Sequence, residues 1–215
     1  WDMIKYQFLP KLEELTKLKF RLPTEAEWEY VAKGGHKTKI CKELSKIFDN
    51  ESMTVDEKQL AAYKYLAEEG HKYSMYSGTD DAMDLDLYIH SATAGVKDRM
   101  PNELGVYDMS GNIWEWCEDY YQTDFYNDCI EGKGDIAQQG KQDEYRTKGY
   151  ITDPVCKDES YAAHTFRGGS FRFDAKSCRN TSVNFWIDTD TDDDLGFRLA
   201  LDSCYAEELN KLKQE

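Results

Sequence analysis

A chain of 215 residues is long enough to bury one sizeable core, and a content of 40% hydrophobic and 13% aromatic residues excludes disorder. A formal net charge of −15 with no basic run excludes nucleic acid as a partner, because phosphate neutralisation needs clustered Lys and Arg. No apolar run in the sequence reaches the ~18 residues that span a bilayer and none of it reads as a signal peptide, so no membrane span is expected, while a start at Trp1 and not Met leaves an upstream targeting segment open. The bacterial cell surface, the periplasm and the cytoplasm all remain open as compartments.

In chain order, residues 1–20 predict an amphipathic helix, with Ile4, Phe8, Leu12 and Leu15 at helical spacing. Pro10 is expected to kink or restart it. A second helix starts after Pro23, where Thr24 and Glu27 form a capping box, each side chain satisfying a backbone N–H of the first turn. Trp28 and Val31 face the core from it, and Gly34-Gly35 ends it. Residues 36–70 read as a helical insertion. Its signals are a second capping box at Thr54 and Glu57, a stripe of Leu60, Tyr63 and Leu66, and Gly70 as the stop.

Residues 71–103 are irregular and polar, and Leu104–Tyr121 is dense in Gly and aromatics. Residues 122–164 carry no sustained period and read as a long loop region. Two strand-like pieces, His164–Phe173 and Leu195–Leu201, lie on either side of an Asp-rich stretch. A short helical extension from about residue 203 closes the chain, with Tyr205, Leu209 and Leu212 on one face. None of the six cysteines belongs to a C-x-x-C pair, which argues against structural zinc. Cys129 and Cys156 are the pair best placed for a disulfide, with free thiols as the equal alternative.

Three blocks carry more specific information: RLPTEAEWEY at 21–30, PNELGVYDMSGNIWEWCEDYY at 101–121, and RGGSFRFDAKSCR at 167–179 with LGFRLAL at 195–201. Their order and spacing resemble the formylglycine-generating enzymes, or sulfatase-modifying-factor family, which includes variable proteins of diversity-generating retroelements. The resemblance covers most of the chain apart from 36–70 and 122–164. It implies a single α+β domain over 1–215 with a C-type-lectin-like fold. Such a fold has little regular secondary structure, a small twisted antiparallel sheet, flanking helices, and long loops ordered partly by calcium. In that family a Trp resembling Trp1 follows strands of the core sheet. Here the sequence opens at that Trp without them, so either it is a piece of a longer chain or another segment supplies the strand that covers the edge.

The family's enzymes oxidise a sulfatase cysteine to formylglycine with oxygen and a copper ion held by two thiolates, ligands that suit Cu(I). The resemblance places the pattern R-G-G-S-x-x-C-x-x-x-x-C on Arg167, Gly168, Gly169 and Ser170, with the first cysteine falling on Phe173 and the second on Cys178. Phenylalanine cannot bind copper, so Ser170 and Cys178 are vestigial candidates. The expectation is a non-catalytic domain that does not use copper. The alternative is a copper-dependent oxidase whose missing ligand comes from elsewhere, such as Cys117. Other relatives use iron and His ligands from a helical domain, but His36, His71, His90 and His164 form no H-x-x-x-H pair.

Calcium takes six to eight hard oxygens from carboxylates, carbonyls and water. The resemblance implies a structural calcium at the side chains of Asp108 and Glu115 and the backbone oxygens of Gly111 and Ile113. A second calcium region falls in 71–93 without assignable ligands. The run Asp188–Asp194 has Asp193 where a calcium-binding EF-hand loop needs Gly and Leu199 where it needs Glu, so it reads as a solvated acidic loop. In the variable proteins the ligand face lies between R-G-G-S and G-F-R. Here that interval holds Arg172, Phe173, Asp174, Lys176, Asn180, Ser182, Asn184, Phe185, Trp186 and Asp188. Aromatics mixed with small polar residues suit an adaptable surface for a protein or carbohydrate ligand. Phe185 and Trp186 have a burial in the core as their equal alternative.

Overall fold

Pro10 does not break the first helix. A π-helical turn, Ile4–Phe8, runs directly into α1, Leu9–Thr16, and the proline sits in the first turn of α1, where its missing N–H is tolerated. Lys17 stops α1 in the left-handed conformation, with φ 61°. The computed structural model describes residues 1–37, 42–70, 72–74, 93–132, 136–149, 151–205 and 209–210. They form two compact units. The first comprises 1–28, 115–166 and 183–215, and the second 29–114 and 167–182.

The first unit carries the sheet. Four strands, β2 (Trp114–Tyr120), β3 (Ala163–Arg167), β4 (Val183–Ile187) and β5 (Leu195–Phe197), stand in the order β4-β3-β2-β5. Strand β2 is central and buried along almost its whole length, which explains its run of aromatics in place of an alternating pattern. β1 (Phe20–Arg21) pairs antiparallel with β6 (Ala200–Leu201), Phe20 opposite Leu201. Trp1 locks onto this sheet. Its indole N–H donates to the Cys117 carbonyl at 2.9 Å, and its ring stacks on His164 at 3.7 Å.

The capping box at Thr24 forms as expected, with Thr24 N–H to Glu27 Oε2 at 2.9 Å and Glu27 N–H to Thr24 Oγ1 at 3.1 Å. It starts α2, Glu25–Ala32, which buries Trp28. Asp119 of β2 accepts the Glu25 N–H at 2.7 Å and the Cys156 N–H at 2.9 Å. Burial pushes its carboxyl up to about 7 against these two donors.

Residues 122–164 are not simply a loop, which corrects the sequence expectation. They hold α5, Phe125–Glu131, and α6, Ile136–Lys148. Phe125 and Cys129, one turn apart, pack with Cys156 as a buried cluster, and neither cysteine is in a disulfide. Helix α6 gains i,i+3 and i,i+4 ion pairs at Glu144 with Lys141 and Lys148, which support a helix without a continuous apolar stripe.

In the second unit the insertion is helical as expected, with α3 (Lys42–Phe48) and α4 (Val55–Gly70). The Thr54–Glu57 box caps α4, the Thr54 N–H reaching Glu57 Oε2 at 2.8 Å. Most of the 71–93 calcium region, with His71 and His90, lies outside the described residues. So do Cys41, Leu212 and the side chains of Tyr63 and Leu66.

Candidate functional site

The strand-like piece expected over His164–Phe173 ends at Arg167, because Gly168 and Gly169 turn the chain with φ of 100° and 73°. A Cβ on Gly169 would stand 2.8 Å from the Cys178 Cα, and closer still to its Sγ, so both conformation and space require glycine there. Ser170 is fully buried, and its carbonyl accepts the Cys178 thiol at 3.7 Å. Arg167, also fully buried, donates to the Ser182 carbonyl at 2.8 Å and pairs with Glu29. Burial raises the Glu29 carboxyl, but its bonds to Lys33 and Arg167 outweigh that and hold it below the usual range.

Cys178 is 3% exposed, and burial together with the charge of Asp174 pushes its thiol up to about 12. It is a protonated packing group. Phe173 is 39% exposed and meets Trp114 edge-on at 5.4 Å. A two-thiolate copper site does not fit these residues, since one offers no ligand atom and the other resists ionisation. Cys117, the candidate substitute ligand, is buried in β2 of the other unit with its thiol 3.9 Å from the Glu115 carbonyl.

The turn expected to hold calcium is stapled internally. Asp108, at φ 57°, accepts the Lys97 N–H through Oδ2 at 2.9 Å. The Gly111 N–H donates to the Gly168 carbonyl at 2.6 Å, and the Asn112 carbonyl accepts the Phe171 N–H at 3.0 Å. Ile113 completes this turn within the second unit. Glu115 lies on β2. In the first unit its buried carboxylate takes the Arg198 guanidinium on both oxygens and the Trp28 indole N–H at 2.7 Å. A guanidinium in that position occupies the oxygens and repels a second cation. Asp192, Asp193 and Asp194 each bring one carboxylate oxygen within 4.8 Å of the others, and the Asp193 N–H is turned onto Asp192 Oδ1 at 2.7 Å.

None of the ten expected ligand-face residues is buried. Arg172, Phe173, Asp174, Lys176, Asn180 and Ser182 belong to the second unit, and Asn184, Phe185, Trp186 and Asp188 to the first. Asp174 is turned onto its own backbone, Oδ1 accepting the Ser177 N–H at 2.8 Å, and the Ser182 hydroxyl donates to the Lys176 carbonyl at 2.9 Å. Phe185 and Trp186 are 45% and 40% exposed, which removes their reading as core residues.

The sequence analysis did not recognise β4 as a strand, although its five residues VNFWI are rich in β-branched and aromatic types. It also missed Tyr121, which stacks on Phe185 at 3.8 Å, and the exposed Val183 and Ile187. Beyond β4, Asp188 Oδ1 accepts the His164 Nδ1–H at 2.6 Å. The His164 Nε2 is buried and finds no partner among the described residues. Burial lowers the pKa of this imidazole despite the raising effect of Asp188. A cleft of about 320 Å³ opens nearby, with Trp116, Leu195 and Phe197 in its wall beside Asp188 and Asp190.

The sulfatase-modifying factor enzyme 1-like domain model matches residues 6–203. Among curated relatives, a formylglycine-generating enzyme from Thermomonospora curvata is 28% identical over 185 residues, which is 85% of this chain and 49% of that protein. Among solved structures, PvdO from Pseudomonas aeruginosa superposes with a TM-score of 0.55 at 21% identity, over 91% of this chain and 57% of that one. That likeness supports the α+β, C-type-lectin-like fold. Treponema denticola variable protein 1 is 27% identical with a TM-score of 0.49, over 86% of this chain and 48% of that one. The chain thus spans about half the length of the enzyme it matches. Among the described residues no helix is long and apolar enough to cross a membrane.

Proposed function

The chain belongs to the sulfatase-modifying factor enzyme 1-like domain family, and from that premise we propose that it is a recognition module and not a catalyst. One observation carries the reading: an exposed Phe173 stands where the family pattern has its first cysteine, while Cys178 is a buried thiol with its pKa pushed up to about 12. Copper-dependent oxidation of a cysteine needs two thiolates, and these two positions offer none at neutral pH. The exposed aromatics of the interval, Phe173 in the second unit and Phe185 and Trp186 in the first, then serve as contact residues for a protein or carbohydrate. Aromatics of this kind supply contact area at low entropic cost.

Calcium enters the proposal with a smaller ligand set. Asp108 and the carbonyls of Gly111 and Ile113 would hold it, without Glu115. One carboxylate predicts weak binding, on the order of millimolar.

Two measurements test the reading. A Cys-x-Pro-x-Arg peptide incubated with the protein, copper and a thiol reductant should keep its cysteine by mass spectrometry, beside an active enzyme control. Formation of formylglycine would restore the enzyme. Selection against a glycan array and a displayed-peptide library should yield a binder that loses at least tenfold in affinity with Phe173→Ser, Phe185→Ser or Trp186→Ser. A binder indifferent to all three would move the ligand face elsewhere.

A further inference from the structure

We propose that β4 is a docking edge for an extended, basic polypeptide segment of a partner protein, which joins the sheet as an additional strand. The inference rests on the recognition reading and names the class of ligand that this part of the face takes. Strand β4 ends the order β4-β3-β2-β5, with β3 as its neighbour among the described residues. All five of its residues are exposed, including the apolar Val183, Phe185, Trp186 and Ile187.

Sheet edges are ordinarily blunted by charge, proline or a bulge, because unpaired N–H and C=O groups template pairing with another chain. The sequence VNFWI carries neither a charge nor a proline. The Phe185 N–H donates to the side-chain oxygen of Asn184 at 2.9 Å, a bond along the strand and not across the ladder. A rotatable side chain holds that donor, and an incoming carbonyl can replace it at the cost of one amide bond. Addition of a strand gives affinity through the main chain, while pockets for alternate side chains give specificity.

The charge around the strand selects the partner. Asp188, Asp190, Asp192 and Asp193 follow β4 directly, and the chain carries a net −15. Two copies of the chain repel one another at this charge, whereas a basic segment is drawn in. Alternating apolar side chains on such a segment would lie beside the exposed side chains of β4, with Lys or Arg meeting the acidic run.

The experiment uses the whole chain and a fluorescent peptide, Lys-Val-Thr-Val-Lys-Val-Lys, followed by anisotropy at low salt. Saturable binding is expected, at least tenfold weaker when alternate backbone nitrogens of the peptide are methylated, and lost when its Lys are replaced by Glu. Trp186→Ser should weaken it by a similar factor. Equal binding of the methylated peptide would overturn strand pairing, since charge and side chains alone would then suffice. No binding of the Lys peptide, beside a library binder that still depends on Phe185, would overturn strand pairing and leave the recognition reading standing. Failure of the peptide, the library and the array together would overturn both.

Discussion

Arg167, Ser170 and Cys178 are at most 3% exposed, whereas every residue of β4, which begins five positions after Cys178, is exposed. The first group belongs to the motif that makes the family recognisable. Its members are held by the Glu29 pair, by backbone carbonyls and by the tight fit of Gly169 to Cys178. Arg198, from the G-F-R block, is likewise tied to a buried glutamate. The recognisable residues are thus those with structural partners, and the residues facing solvent lie in the interval between the motifs. In this chain the family signature marks a scaffold, held by buried residues on either side of the exposed Phe173.

That contrast would break if motif substitutions were cheap, and the largest cost is expected at Glu115. Glu115→Gln leaves the Arg198 guanidinium half-satisfied beside a buried neutral amide. It should destabilise the fold by about 4 kcal/mol in urea unfolding, the scale of breaking a buried ion pair. Next comes Gly169→Ala, which forces a Cβ into a left-handed position against Cys178. A loss of about 3 kcal/mol is expected, and Cys178→Ala in the same chain should recover part of it. No recovery in the double-mutant cycle would mean that backbone strain, and not the thiol contact, sets the cost.

A third, smaller effect depends on pH. The folded state lowers the pKa of His164 from its ordinary 6.5, so the unfolded chain binds the proton more readily. The contribution of His164 is therefore present above 6.5 and is lost as pH falls below it. Asp119 has the opposite sign. With its pKa raised from 3.8 to about 7, its contribution is lost as pH rises across that window. Comparing the parent with His164→Gln isolates the first effect, and the stability gap between them should narrow from pH 7 to pH 5.5. A constant gap would show that His164 acts only by packing between Trp1 and Tyr120. The smallest effect is expected at Trp186→Ala, within about 0.5 kcal/mol of the parent as for other surface positions, although on the recognition reading it should weaken binding at least tenfold. A larger loss of stability would place Trp186 with the scaffold.

What could be read from the sequence follows the same division. The Thr24 and Thr54 capping boxes were legible because each is a local bond between residues three apart. The Arg167-Gly-Gly-Ser motif was legible as a block but not as a turn, since the strand expected through Phe173 stops where Gly168 and Gly169 take φ of 100° and 73°. Helix α6 was not legible, since scattered charge pairs and not an apolar period support it. Strand β4 lacked the alternation that marks a half-buried strand, since both of its faces are exposed. Glu115 gave no sign of its hydrogen-bond partners, for a different reason. Its spacing from Asp108 suits a cation, but its partners come from residues 28 and 198, and contacts so distant in sequence leave no local trace.

The exposure of β4 also governs how the protein can be handled. The charge of −15 that holds copies apart acts over about 10 Å at 0.1 M salt and about 3 Å at 1 M. Concentrated, salty solutions therefore remove the barrier while leaving the exposed apolar side chains of β4 unchanged. Storage at low ionic strength should keep the sample clear, and turbidity that rises with added salt would be the first visible sign of β4.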